Sequence, residues 1–164
     1  MKQEEQVVLT NLHVYLAIAE EAVEKSRQLF EAARTPKPDG QPGHIIAFDP
    51  EQKSFKQSLI AIAFAGMYLE TLPGHIGNAR LGKALYGKID RQTTYEEKLS
   101  LLGILDPIVL ANCKRFREAR NDLMHEKAVD LAALKIEETR IAQEEAEFGV
   151  AFVKSVINKF ETAT

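Results

Sequence analysis

A long apolar stripe at helical spacing is the feature that most constrains the fold of this chain. Between Glu4 and Ala33, apolar or small residues recur at alternating four- and three-residue steps. The members of this stripe are Val8, Leu12, Tyr15, Ala19, Ala22, Ser26, Leu29 and Ala33. Residues at these steps share one face of an α-helix, so the stripe predicts a long amphipathic helix that packs by one side.

Later segments also predict helices. From Ser54 to Leu72 the chain is apolar nearly all round a helical projection, which is typical of the central helix of a bundle. Pro73 and Gly74 are expected to end that helix. Gly77 to Tyr86 predicts a short, glycine-interrupted helix, and Asp130 to Phe160 predicts a final amphipathic helix. The apolar face of the final helix comprises Leu134, Ile141, Phe148, Phe152 and Val156.

Two polar segments mark the starts of further helices. Thr93 or Thr94 is suited to cap a helix that runs through Leu102, because a hydroxyl can accept a hydrogen bond from a free backbone N–H of the first turn. Asp106 and Pro107 form a cap and first-turn pair for the helix that follows.

One connection, between Thr35 and Lys53, is rich in proline and glycine. It contains Pro36, Pro38, Gly40, Pro42, Gly43 and Pro50. These residues forbid a continued helix and predict an extended or mobile connection, in which His44 to Phe48 can form a few extended residues. The prediction for residues 1–164 is a single all-α domain: a largely antiparallel, up-and-down bundle of four or five helices with this one connection.

Composition limits the class of protein. A chain of 164 residues that is 45% hydrophobic can bury one sizeable core. Its 21 basic and 24 acidic residues give a formal charge of −3, so any contact with RNA must be local. Cys113 is the only cysteine, which suits a reducing compartment. Residues 1–6 lack an apolar signal core, and the apolar run from Ser58 to Leu69 is shorter than the about 20 residues that span a bilayer. We therefore expect a cytoplasmic protein with no membrane partner.

Arg120 lies in the middle of an apolar helical stripe. The other members of the stripe are Val109, Cys113, Phe116, Leu123 and Met124. A guanidinium cannot be deprotonated, and burying it alone is costly, so Arg120 should meet a carboxylate or face a cleft that receives an anion. Glu70 is a candidate carboxylate partner. His125 lies about 140° further round an ideal helix, so either the helix is distorted or a second copy of the chain supplies one member of the pair.

The segment Arg120-Asn121, followed by His125, resembles the HEPN family of small helical domains, which occur in prokaryotic toxins, phage-defence proteins and larger RNA-processing enzymes. The family signature is an Arg, usually followed by Asn, His or Asp, with four to six residues before a His. This chain fits at the shortest spacing. The hydrophobic helix, the polar connection and the segment Tyr95–Leu102 before the motif extend the resemblance from about Ser54 to about Ala128.

The resemblance implies a metal-independent endoribonuclease of the toxin-antitoxin or defence type. Arg120 would stabilise charge on the phosphoryl oxygens, and His125 would transfer a proton at the RNA 2′-hydroxyl or the leaving oxygen. Asn121 would bind substrate or hold His125 in one tautomer. The resemblance also implies a homodimer with its two motifs facing across a shared groove, and a nucleotidyltransferase-like antitoxin as a possible partner. It implies no cofactor and no metal.

Other patterns in the chain favour simpler interpretations. The segment from Gly77 to Ala84 nearly matches the phosphate-binding P-loop motif. However, Ala84 stands where the motif has a magnesium-binding hydroxyl, and the segment does not follow a predicted strand. We therefore expect a glycine-rich turn. The histidines are scattered and predict no metal centre: His13, His44, His75 and His125. A short basic run forms either a local positive patch or a solvated helix face: Lys114, Arg115 and Arg117.

Two alternatives to a nuclease remain open at this point. The chain could be a non-catalytic HEPN-like module that binds a nucleotide, an RNA or a protein and keeps the motif for binding. It could also be a purely structural dimerisation bundle. In a binding module, His125→Ala would change affinity or stability without any turnover to lose.

Overall fold

The computed structural model describes residues 11–47, 49–91, 93–124 and 141–162. Six α-helices lie within these ranges: α1 (Leu12–Ala32), α2 (Lys53–Leu81), α3 (Lys83–Asp90), α4 (Tyr95–Leu101), α5 (Pro107–Met124) and α6 (Ala142–Thr162). Two three-residue strands, β1 (Arg34–Pro36) and β2 (His44–Ile46), form the only sheet of the described part. The predicted all-α bundle is confirmed. The expected count of four or five helices was too low because the short helices α3 and α4 are both separate elements.

Helices α1 and α2 run in opposite directions, and so do α5 and α6. Between α1 and α2, Ser26 hydrogen-bonds Ser58, and the ring of Tyr15 contacts that of Phe64. The later residue of α1 thus meets the earlier residue of α2, so the two helices are antiparallel. Between α5 and α6, Arg115 pairs with Glu145 and Asp106 pairs with Lys159, which gives the same antiparallel order. The predicted up-and-down arrangement is therefore confirmed.

Helix α2 is the centre of the molecule and contacts each of the other five helices. It is long and apolar enough, by length and composition alone, to span a membrane. In the folded chain its buried residues include Ala61, Ile62, Ala65 and Leu69, which pack against the surrounding helices. This packing is consistent with the core helix of a soluble bundle.

The prediction that Pro73 and Gly74 end the central helix is wrong, because α2 continues to Leu81. A proline inside a helix removes one backbone hydrogen bond, yet tertiary packing can outweigh that loss. Here Pro73 and Gly77 are both buried, and the ring of Tyr86 fills the space beside Gly77. The end of the helix falls instead at Gly82, whose φ of 80° is accessible mainly to glycine.

The proline-rich connection is partly regular. Strands β1 and β2 pair antiparallel, with Arg34 opposite Ile46, and Pro38–Gly40 forms a turn of 3₁₀ helix between them. The expected extended residues from His44 are confirmed as β2, and β1 is a second extended stretch of the connection. The backbone N–H of Ala47 donates to the carbonyl of Ala33, which ties the hairpin to the end of α1.

Both predicted caps are confirmed. Thr94 and Glu97 form a reciprocal capping box at the start of α4, and Asp106 accepts hydrogen bonds from the N–H groups of Ile108 and Val109 at the start of α5.

In the predicted final helix, Phe152 and Val156 are buried. Ile141 is 50% exposed and precedes α6, so its assignment to the apolar face is wrong. Leu134 and the first ten residues lie outside the described ranges.

We expect Gly149→Ala to destabilise the protein by about 1–3 kcal/mol, because an added Cβ would overpack a fully buried ring. That Cβ would lie 2.9 Å from Cδ2 of Phe116, which has no free space around it. Gly74→Ala is the matched control: its added Cβ meets nothing within 4 Å, and alanine should stabilise the helix by about 0.5–1 kcal/mol. Urea unfolding of both variants measures the difference, and equal shifts would contradict the packing argument.

Candidate functional site

Arg120 occupies the last two turns of α5, where the apolar stripe of that helix reaches the edge of the core. Val109, Cys113 and Phe116 of the stripe are buried as predicted. Met124 is 42% exposed, so its place in the stripe is wrong, because α5 ends there. The side chain of Arg120 retains 24% of its exposure and therefore lies between core and solvent.

The guanidinium of Arg120 is held by two residues from two other helices. Its Nη1 donates to Oε1 of Glu70 on α2 at 2.9 Å and to the hydroxyl oxygen of Tyr95 on α4 at 2.7 Å. The Tyr95 hydroxyl in turn donates to Oε1 of Glu70 at 2.5 Å. The three side chains thus form a closed triangle of hydrogen bonds that joins α2, α4 and α5. The sequence-based expectation of a carboxylate partner for Arg120 is confirmed, and Glu70 is that partner.

The absence of a side chain at Gly66 makes this arrangement possible. A Cβ at Gly66 would lie 2.7 Å from Cδ and 2.9 Å from Cζ of Arg120, and closer still to Nε. Nε of Arg120 is itself buried and has no hydrogen-bond partner among the described residues. The other terminal nitrogen, Nη2, also has no partner there but is not among the fully buried polar atoms. Nη2 is therefore the part of the guanidinium left to meet an anion.

A second ion pair holds α4 against α5 beside this triangle. Arg117 donates to both carboxylate oxygens of Glu96, with Nη2 at 3.1 Å and Nε at 3.3 Å from Oε1. The Glu96 side chain is only 18% exposed, so water screens this pair less than a surface pair. Glu96 and Tyr95 are adjacent in the first turn of α4, so the start of that helix is fixed at two neighbouring points.

Of the two alternatives for the basic run ahead of the motif, a local positive patch and a solvated helix face, the positive patch does not form. Lys114 pairs with Glu118, Arg115 with Glu145, and Arg117 with Glu96. Arg115 also stacks on the ring of Phe148, with 3.8 Å between Cζ and the ring centroid. Each of these three cations is thus paired with a carboxylate, as Arg120 is with Glu70.

Burial raises the pKa of two groups behind the site. Desolvation raises the pKa of the Tyr95 hydroxyl well above its usual range, and its hydrogen bond to Glu70 adds to the effect. Burial raises the pKa of the Cys113 thiol to about 12, with a further contribution from the Glu96 carboxylate. Near neutral pH, Tyr95 therefore acts as a hydroxyl donor and acceptor, and Cys113 stays a protonated thiol. Cys113 is fully buried, which confirms the prediction that it packs in the core.

The other two predicted site residues have different outcomes. Asn121 follows Arg120 on α5, is exposed, and has no hydrogen-bond partner in the described part of the chain. His125 lies outside the described residues, directly after the last residue of α5. The structure therefore fixes the position of Arg120 and Asn121 and leaves that of His125 as a sequence-based expectation.

Tyr95 is the site residue that the sequence did not single out. It stands at the first position of a short helix, where a tyrosine carries no signal of a polar role. Its proximity to Arg120 depends on contacts across 25 residues of sequence. Gly66 had no distinguishing signal either, since it lies within a run of small and apolar residues.

Two further features of the chain supply no competing site. The P-loop-like segment is helical from Gly77 to Leu81, with only Gly82 at positive φ, so the expectation of a glycine-rich turn is also wrong. A cavity of about 420 Å³ lies at the start of α2 and is walled by Phe30, Phe55 and Ile141. Ser54 and Ser58 also line it, and the hydroxyl of each hydrogen-bonds that of Ser26 on α1. Within residues 11–47, 49–91, 93–124 and 141–162, no group of three His, Cys, Asp or Glu side chains is placed to hold a metal ion.

We expect Gly66→Ala to destabilise the protein in a way that depends on Arg120. With Arg120 present, the added Cβ displaces its side chain, and the cost is about 1–3 kcal/mol. In an Arg120→Ala background the clash is gone, so the same substitution should be neutral or stabilising, which gives a coupling of about 1–3 kcal/mol. Chemical unfolding of the four proteins in this double-mutant cycle provides the test. Additive free energies would contradict the contact between Gly66 and Arg120.

Comparison of the chain with protein-family models, with curated proteins and with solved structures found no match in any of the three. The functional argument therefore rests on the residues of the site and on their geometry.

Proposed function

We propose that this protein is a metal-independent endoribonuclease of the HEPN type, acting as a homodimer. One observation carries the proposal: Arg120 is held at the end of α5, five residues before His125, and its Nη2 has no hydrogen-bond partner among the described residues. A guanidinium that is fixed in place, and not fully neutralised by its neighbours, is suited to bind a phosphodiester.

In this mechanism Arg120 stabilises the negative charge that grows on the phosphoryl oxygens as the 2′-oxygen attacks. His125 takes the proton from the 2′-hydroxyl or gives one to the leaving 5′-oxygen, because imidazole can do either near neutral pH. Asn121, exposed beside Arg120, hydrogen-bonds the substrate or holds His125 in one tautomer. DNA has no 2′-hydroxyl and is not cut by this route.

The active unit in this proposal is a two-fold dimer in which Arg120 and His125 come from different chains. The angular separation of about 140° between the two positions on a straight helix favours such a composite site. We place the protein in the cytoplasm, as a toxin or defence component with RNA as substrate. A nucleotidyltransferase-like antitoxin is a possible partner.

The alternative is a non-catalytic module that binds a nucleotide, an RNA or a protein, and one observation favours it. Glu70 already compensates the charge of Arg120 at 2.9 Å, which lowers the attraction of that guanidinium for an added anion. A purely structural role for Arg120, as a tie between helices, uses the same contact. A measurement of RNA cleavage distinguishes the nuclease from the binding module and from the structural role, because only the nuclease turns over its substrate.

We expect the purified protein to cleave a mixed RNA substrate in excess EDTA, leaving 2′,3′-cyclic phosphate and 5′-hydroxyl ends. Arg120→Ala and His125→Ala should each abolish cleavage, because one removes charge stabilisation and the other removes proton transfer. Arg27→Ala and His75→Ala are matched controls, since both side chains are exposed on other helices, and they should cleave as the parent does. Gel analysis and end-group chemistry give the readout.

Equal cleavage by all five proteins would indicate a contaminating nuclease, and no cleavage by any of them would exclude the nuclease proposal. RNA binding without cleavage, weakened by Arg120→Ala, would instead support the binding module. Circular dichroism of each variant controls for loss of fold.

Mixing the two inactive variants tests the composite site. If Arg120 and His125 act across a dimer, exchange of subunits between Arg120→Ala and His125→Ala produces heterodimers with one intact site. Random exchange should restore about a quarter of the parent activity at equal total protein. Light scattering before and after mixing confirms the dimer mass. Activity in a parent protein that is monomeric, or no recovery on mixing despite exchange, would contradict the shared site.

A further inference from the structure

The bonds that Arg120 makes with other described residues restrict the directions from which an anion can approach its guanidinium. Nη1 has two N–H groups, and Glu70 and Tyr95 accept one hydrogen bond each from that nitrogen. Nε has a single N–H, which is buried against Gly66. A two-pronged contact that uses Nε together with Nη2 is therefore blocked, and one that uses Nη1 together with Nη2 must compete with Glu70 and Tyr95 for Nη1.

Tyr95 is the rigid member of the triangle. Its helix starts with the capping box of Thr94 and Glu97, and the adjacent Glu96 is paired with Arg117 of α5. The phenol ring then carries its hydroxyl to a fixed point 2.7 Å from Nη1. Glu70, by contrast, has a side chain that is 46% exposed, so water competes for its carboxylate.

We infer that Tyr95 is a positioning residue for Arg120: it holds Nη1, so that a phosphodiester meets the guanidinium through Nη2 alone. This inference rests on the proposed function for its catalytic consequence, but the restraint on the guanidinium is a property of the protein without RNA. The Tyr95 hydroxyl accepts from Arg120 and donates its one proton to Glu70, so the direction of both hydrogen bonds is set. Glu70 alone, on a half-exposed side chain, would restrain the guanidinium less against rotation.

The test uses Tyr95→Phe, which keeps the ring and removes the hydroxyl. Nitrogen-15 spectra of the arginine side chains report the restraint directly, because a hydrogen-bonded guanidinium shows separate Nη1 and Nη2 signals when its rotation is slow. We expect separate Arg120 signals in the parent and merged signals in Tyr95→Phe. Signals of Arg117, which is held by Glu96, should stay unchanged in both and serve as an internal reference. Arg120→Lys assigns the Arg120 signals.

Two further measurements define the role. Titration with inorganic phosphate should shift Nη2 of Arg120 more than Nη1 in the parent, and this selectivity should disappear in Tyr95→Phe. In single-turnover RNA cleavage with protein in excess, Tyr95→Phe should lower the maximal rate by about tenfold to a hundredfold. The protein concentration that gives half the maximal rate should not change.

Tyr15→Phe is the matched control, because it removes a hydroxyl on α1 that has no hydrogen bond among the described residues.

The outcomes separate this inference from the proposed function. Separate Nη signals that persist in Tyr95→Phe would overturn the inference whatever the protein does to RNA. Merged signals with an unchanged cleavage rate would also overturn it, because the restraint would then have no role in catalysis, while the nuclease proposal would stand. If the parent cleaves no RNA, the proposed function is wrong, and the spectra with phosphate still decide whether Tyr95 directs an anion to Nη2.

Discussion

Close packing against the central helix is the constraint on which the rest of this structure depends. Helix α2 contacts all five other helices, so its own side chains must be small wherever a neighbour needs space. Gly66 admits the side chain of Arg120, and Gly77 admits the ring of Tyr86. On the facing helix α6, Gly149 admits Phe116 in the same way. Interiors packed at crystal-like density leave no other place for these large side chains.

The candidate site follows from this packing. Because Gly66 has no side chain, Arg120 can lie across α2 and reach Glu70 one helical turn further along. A partly buried cation needs such a partner, since leaving it alone would cost far more than an exposed ion pair returns. Tyr95 extends the ion pair into a triangle and ties in α4. The same contacts that stabilise the bundle therefore also fix the guanidinium in one orientation, in which Nη2 has no partner within the part of the chain that the structure describes.

Glu70 and Tyr95 act on Arg120 in ways that favour different functions. Charge compensation by Glu70 weakens the attraction of Arg120 for a phosphate, which favours a structural or binding role. Orientation by Tyr95 removes the entropy of aligning a long flexible side chain, which favours catalysis. Turnover and the direction of anion approach are the two measurable quantities that distinguish these effects.

The sequence by itself determined the helices, their caps and the position of Arg120 on a buried stripe, because these depend on residues within a few turns of one another. Asp106 and Thr94 illustrate this, since each caps its helix through contacts with the next three residues. Only the tertiary structure decided that α2 passes through Pro73, because burial outweighs the local breaker. Tertiary structure also selected the partners of Arg120, which come from 50 and 25 residues away along the chain. The sequence made Glu70 a candidate but gave no sign of Tyr95, because a hydroxyl acquires its role only from the groups that the fold brings beside it.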